Sequence, residues 1–148
     1  MELRDVYNKY KNAWNRYGHF NGRADRTEFL IFTIVNSVII GVWFLIILGL
    51  ETRIHNLGQA ASPTLVLATG GISLLLFLFI IFSVIPYLAV TARRFHDMGR
   101  SAWFCILLPI ATIGIPLIGL PLFILVLGLI KGQPETNQYG DPPTANRT

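Results

Sequence analysis

The chain is predicted to be an all-α membrane protein. It has an N-terminal interfacial amphipathic helix, two long transmembrane helices and a C-terminal short-helix transmembrane hairpin, four membrane helices in all. Three observations predict this class. Of 148 residues, 53% are apolar and 14% charged, and mean hydropathy is +0.54, beyond ordinary soluble usage. The runs Phe29–Leu50, Thr64–Val90 and Ala102–Ile130 carry no Asp, Glu, Lys or Arg, and each is long enough to cross a hydrocarbon core of roughly 30 Å. Charge instead gathers between the runs, as the cost of placing it in hydrocarbon requires.

Residues 1–18 lack the apolar centre and small-residue cleavage site of a signal peptide. Leu3, Val6, Tyr7, Tyr10, Trp14 and Tyr17 recur at helical spacing, with Arg4, Lys9, Lys11, Asn12 and Arg16 on the other faces. Aromatic rings with polar tips suit a membrane interface, so Tyr7, Tyr10, Trp14 and Tyr17 are expected there, where nearby cations also gain from anionic lipid. Gly18 is expected to end this helix. Asp25 followed by Glu28 fits a capping box opening the first span. Within Phe29–Leu50, residues Thr33, Asn36, Ser37 and Gly41 share one face, which is expected to pack on a neighbouring helix.

Residues 51–63 read as a polar loop, and Ser62-Pro63 as an N-cap with proline at the first helical position. Thr64–Val90 exceeds the hydrocarbon thickness. It is expected to tilt, project or kink at Pro86, with Gly70, Gly71 and Ser73 permitting close helix approach. Ala102–Ile130 is interrupted by Pro109, Gly114, Pro116, Gly119 and Pro121, so it reads as two short helices joined near Thr112–Pro116. Residues 131–148, with three prolines and no apolar period, read as a loop-like tail. The domains are therefore 1–28, a cytoplasmic amphipathic arm; 29–130, the transmembrane helical domain; and 131–148, a cytoplasmic tail.

The most informative stretch is 91–104. Arg93, Arg94 and Asp97 fall on the last turn of the preceding helix, where arginines suit the negative dipole end. Gly99 can adopt the left-handed conformation that stops the helix, Ser101 can cap the next, and Trp103 suits the headgroup level. Lysines and arginines flank the first span, the 91–101 loop and the tail, which places both termini on the cytoplasmic side of a bacterial inner membrane. Arg23, Arg26, Arg93, Arg94, His96, Arg100 and Ser101 form the candidate anion- or partner-binding set. Glu28 and Asp97 are expected to pair with arginines of the opposite segment.

The net charge of +4 reflects this orientation and not nucleic-acid binding, because the cations flank apolar spans. His19, His55 and His96 are scattered and carboxylates do not cluster, so no metal or cofactor is expected. Neighbouring His96 and Asp97 point about 100° apart on a helix and cannot form an acid–base pair. GxSxG, HExxH and Walker motifs are absent. Cys105 is alone and reads as a small core hydrophobe.

The function expected is a non-enzymatic module binding anionic phospholipid headgroups or a membrane protein partner, with a second copy of the chain among the partners considered. The alternatives are a subunit of an oligomeric transporter or channel, and a lipid-modifying enzyme.

Three stretches, Phe20-Asn-Gly-Arg-Ala-Asp-Arg-Thr-Glu-Phe29, Arg93-Arg-Phe-His-Asp-Met-Gly-Arg-Ser101 with Trp103, and Asn137-Gln-Tyr-Gly-Asp-Pro142, resemble in order and spacing the signatures of the bacterial family called domain of unknown function 805. Leu30 stands for that family's usual tryptophan, Phe95 for leucine and Ala102 for glycine. Lys-Gly-Gln-Pro-Glu-Thr precedes Asn137 where Gly-Thr-x-Gly is usual. The resemblance implies a small multi-pass inner-membrane protein, and the family's name carries no activity.

Overall fold

The computed structural model describes residues 2–106 and 119–143. It contains α1 (Leu3–Asn15), α2 (Arg26–Leu57), α3 (Pro63–Asp97) and α4 (Gly119–Leu129), with 3-10 turns at Gly58–Ala60 and Ala102–Ile106. Among the described residues there is no strand, only an isolated bridge between Asn137 and Gly140. The expected junction of the C-terminal hairpin, Thr112–Pro116, lies outside the described residues, as does the tail beyond Pro143.

Both long helices exceed their predicted runs. α2 has 32 residues and α3 has 35, roughly 48 and 52 Å at ~1.5 Å per residue. The loop expected from residue 51 is therefore helical up to Leu57. Thr52 Oγ1 donates to Leu48 O at 2.7 Å, and Gly58 stops the helix at a φ of 53°. Ser62 caps α3 through its Oγ, which accepts from Leu65 N–H at 3.3 Å. Pro86 lies inside α3 without ending it. At the far end Gly99 has a φ of 71°. There Gly99 N–H donates to His96 O and Arg100 N–H donates to Phe95 O, the paired bonds of a Schellman stop. Ser101 then caps a 3-10 turn, with Phe104 N–H donating to its carbonyl at 3.2 Å.

The chain divides into two compact units. Met1–Ile34 with Ile85–Thr148 forms the first. Its core is Ala13, Phe29, Phe32, Val90, Phe95 and Leu127. Phe32 is the hub, with ring centroids 5.7 Å from Tyr10, 5.9 Å from Trp14 and 6.4 Å from Tyr87. Tyr10 and Trp14, expected at a membrane interface, are half-buried with both rings against Phe32, and Ala13 between them is fully buried. Tyr17 stacks on Trp14 at 6.2 Å. Tyr7 and Trp103 are exposed, at 62% and 82%. α1 also ends at Asn15, three residues short of Gly18.

The second unit is Val35–Val84. Its buried residues are Asn36, Thr69, Leu76 and Ser83, while large apolar side chains from Val38 to Phe82 face outward. Thr69, Ser73 and Ser83 donate to the carbonyl four residues back, at 2.9, 2.9 and 2.7 Å, so these hydroxyls are satisfied within their own helix. Of the face expected to pack, Thr33 (in the first unit) and Asn36 are buried but Ser37 and Gly41 are exposed. Among the described residues, no other segment comes within 4 Å of a Cβ built at Gly70 or Gly71, so the close approach these glycines permit is not used there.

Candidate functional site

The charged end of the first unit is built from the start of α2, the end of α3 and the tail after α4. α2 opens with Asp25 as its cap, whose Oδ1 accepts from Glu28 N–H at 2.5 Å. Glu28 also reaches across to α3: its Oε1 accepts from Arg93 Nη1 at 2.9 Å. Ala24 N–H donates to Arg93 O at 3.1 Å, tying the approach to α2 along the end of α3.

Asp97 is the centre of the network. Its Oδ1 lies 2.9 Å from Arg23 Nη2 and its Oδ2 lies 2.5 Å from Arg94 Nη1. Arg94 also donates from Nε to Leu127 O at 2.9 Å and from Nη2 to Ile130 O. It thus satisfies carbonyls that the end of α4 leaves without intrahelical partners. Arg23 donates to Gln133 O, and to Glu135 O at 2.7 Å and Gly140 O at 3.3 Å. One guanidinium therefore organises the tail.

The described part of the tail has no helix or strand, and it is bonded back onto the end of α3 as a strap. Gln133 N–H donates to Asp97 O at 2.8 Å, and Asn137 Nδ2 donates to His96 O at 3.0 Å and Gln133 Oε1 at 2.9 Å. The Tyr139 ring stacks on His96 at 3.8 Å and 4°. A Cβ at Gly132 would overlap the Asp97 carboxylate, so only glycine lets the strap pass this close. His96 Nδ1 lies 3.1 Å from Gly22 O. A carbonyl only accepts, so Nδ1 holds the proton.

Asp25 sits at the mouth of the network, 2.8 Å from Lys9 Nζ. Burial alone would raise its pKa, but the bond from Lys9, those from Thr27 and Glu28 N–H, and the Lys9 charge outweigh it and hold the carboxyl near 2. Beside it opens a cleft of about 750 Å³ lined by Lys9, Asn12, Arg16, Arg23, Glu28 and Tyr139 among others. A smaller cleft of about 240 Å³ lies around Arg26, Arg94, Asp97 and Lys131.

The three signature stretches thus meet, with Glu28 on Arg93 and Asp97 between Arg23 and Arg94. Arg23 and Arg94 are buried and bonded within the chain, which removes them as open anion donors. Arg93 is fully buried, with Nε and Nη2 lacking a partner among the described residues. Arg26 does not join Asp97. Arg26 and Arg100 are exposed, and Ser101 is half-buried. Among the described residues, no group of three His, Cys, Asp or Glu is placed to hold a metal ion.

The sequence reading missed the bonding roles of Lys9, Gln133, Asn137 and Gly132. Of these, only Asn137 carried a signal, as the first residue of the family-like Asn137–Pro142 stretch. Chemically the arrangement is a cation-rich surface in which Asp25, Glu28 and Asp97 are each paired with a cation while Asp5 and Asp141 line the larger cleft. His96 is shielded by Tyr139 and tied to Gly22.

Comparison with known proteins fits this convergence. The chain is 33% identical over 134 residues to Inner membrane protein YhaH of Escherichia coli (strain K12), covering 90% of this chain and 94% of that protein. It is 30% identical over 136 residues to Inner membrane protein YhaI of the same strain, covering 90% and 93%. No solved structure matches. The family described as "Protein of unknown function (DUF805)" matches residues 17–141, from the turn after α1 into the strap, and the chain belongs to that family.

Proposed function

We propose that the chain is a non-enzymatic module of the bacterial inner membrane that holds anionic phospholipid headgroups at its charged end. α2 and α3 are long and apolar enough to cross a membrane, and their lengths leave the charged end beyond a ~30 Å hydrocarbon core. The relatives' printed description as inner membrane proteins supports the location. The positive-inside bias supports a cytoplasmic charged end.

The observation that carries the reading is the surplus of cations. Lys9, Arg23, Arg93 and Arg94 face Asp25, Glu28 and Asp97, with Asp97 shared by two arginines. Arg16, Arg26, Arg100 and Lys131 make no ion pair among the described residues. A phosphate group is the counter-charge that a membrane surface supplies.

The test is retention of phosphatidylglycerol against phosphatidylcholine by the purified full chain, followed by native mass spectrometry. The expected result is preferential retention of phosphatidylglycerol that weakens as salt rises. Equal retention of the two lipids would sink the reading. Lipid turnover abolished by His96→Ala would replace it with an enzymatic one.

A further inference from the structure

The smaller cleft has features that the rest of the charged end lacks. Arg26 and Lys131 both line it, both are exposed, and neither has a partner among the described residues. The carboxylates in its wall are already engaged. Asp25 is held by Lys9, Thr27 and Glu28 N–H, and Asp97 by Arg23 and Arg94. What remains uncompensated is positive, in a space of about 240 Å³.

Lys131 also follows α4, and α4 is the second observation. Leu122, Leu125, Val126 and Leu129 are 53%, 54%, 44% and 66% exposed. Their spacing of i, i+3, i+4 and i+7 puts them on one stripe of the helix, roughly 10 Å long at ~1.5 Å per residue. An outward apolar stripe running toward an unspent cationic cleft matches a molecule with a hydrocarbon chain at one end and a phosphate at the other.

We infer that the Arg26–Lys131 cleft is a phospholipid site, with the phosphate held between the two cations and one acyl chain along the α4 stripe. The inference rests on the headgroup reading above and assigns it a specific place. A soluble phosphate fits the cations but leaves the stripe without a role, so the occupant is the lipid. Arginine contributes a planar, two-pronged donor and lysine a compact charge, a combination that accepts any phosphodiester. Selectivity is then for net negative charge and not for one headgroup.

The experiment compares the full chain with R26Q/K131Q by native mass spectrometry, with phosphatidylglycerol and phosphatidylcholine as probes. Loss of two surface cations is expected to weaken phosphatidylglycerol retention roughly 30-fold, with an unchanged melting curve because neither side chain is bonded. R26K/K131R is expected to keep retention. Leu129→Asn is expected to weaken retention of both lipids through the stripe.

If the wild type prefers phosphatidylglycerol and R26Q/K131Q retains it equally, this site is wrong while the headgroup reading stands. If the wild type shows no preference, both fail. Displacement of the lipid by millimolar inorganic phosphate would reassign the cleft to a soluble anion and overturn the inference. R26Q and K131Q singly, each expected to weaken retention about fivefold, provide the same readout should the double variant be unstable.

Discussion

The two units satisfy their polar groups in opposite ways. In Val35–Val84, hydroxyls bond to their own helix one turn back, and the outward surface is apolar. At the charged end, bonds cross long stretches of sequence: Glu28 to Arg93, Arg23 to Asp97, Arg94 to Ile130, Asn137 to His96. The first pattern needs only residue types, since in the spans proposed above any large apolar side chain serves an outward position. The second needs particular residues, since a guanidinium and a carboxylate buried together are tolerable only as a pair. Substitutions should therefore be costly at one unit and cheap at the other.

Asp97→Ala should have the largest effect. It leaves Arg23 and Arg94 without their shared carboxylate, and breaking a buried pair costs on the order of 3–5 kcal/mol. Gly132→Ala should act in the same direction, because its Cβ would displace that carboxylate. Thermal unfolding in detergent micelles, followed by circular dichroism, measures both. A wild-type melt for Asp97→Ala would break the comparison outright.

Acid should act next, through Asp25. Its carboxyl lies near 2 in the folded chain against an ordinary 3.8, so the unfolded chain binds the proton more readily. The contribution is full above about pH 4 and is lost as pH falls toward 2, on the order of 2 kcal/mol. Lys9→Met should remove much of this pH dependence. An unaltered acid melt in Lys9→Met would show that Lys9 does not hold the carboxylate.

Ser62→Ala should be milder, about 1 kcal/mol, because it removes one cap bond at the start of α3. A melt unchanged within error would show that Pro63 alone starts that helix. The smallest effect is expected for Leu75→Ile, at a side chain 57% exposed. It should shift stability by no more than about 0.5 kcal/mol. A large loss there would reveal a partner surface on the outward face and sharpen the contrast between the units.

How much of this was legible beforehand follows from range. Gly99 as the helix stop, Ser62 as a cap and the two long apolar helices are local properties, set by backbone freedom, nearby donors and hydrophobic length. The sequence determined those by itself. It also indicated that Glu28 and Asp97 would meet arginines, because buried charges must pair.

Which arginine meets which carboxylate was decided only by the tertiary structure. Arg23 and not Arg26 reaches Asp97. Glu28 pairs with Arg93. Trp14 and Tyr10 turn to Phe32, and Gly132 lets the tail pass the Asp97 carboxylate. These contacts join residues distant in sequence, and no local propensity encodes a distance between segments. They follow from how the start of α2, the end of α3 and the strap after α4 pack, where each donor finds the acceptor that packing brings within reach.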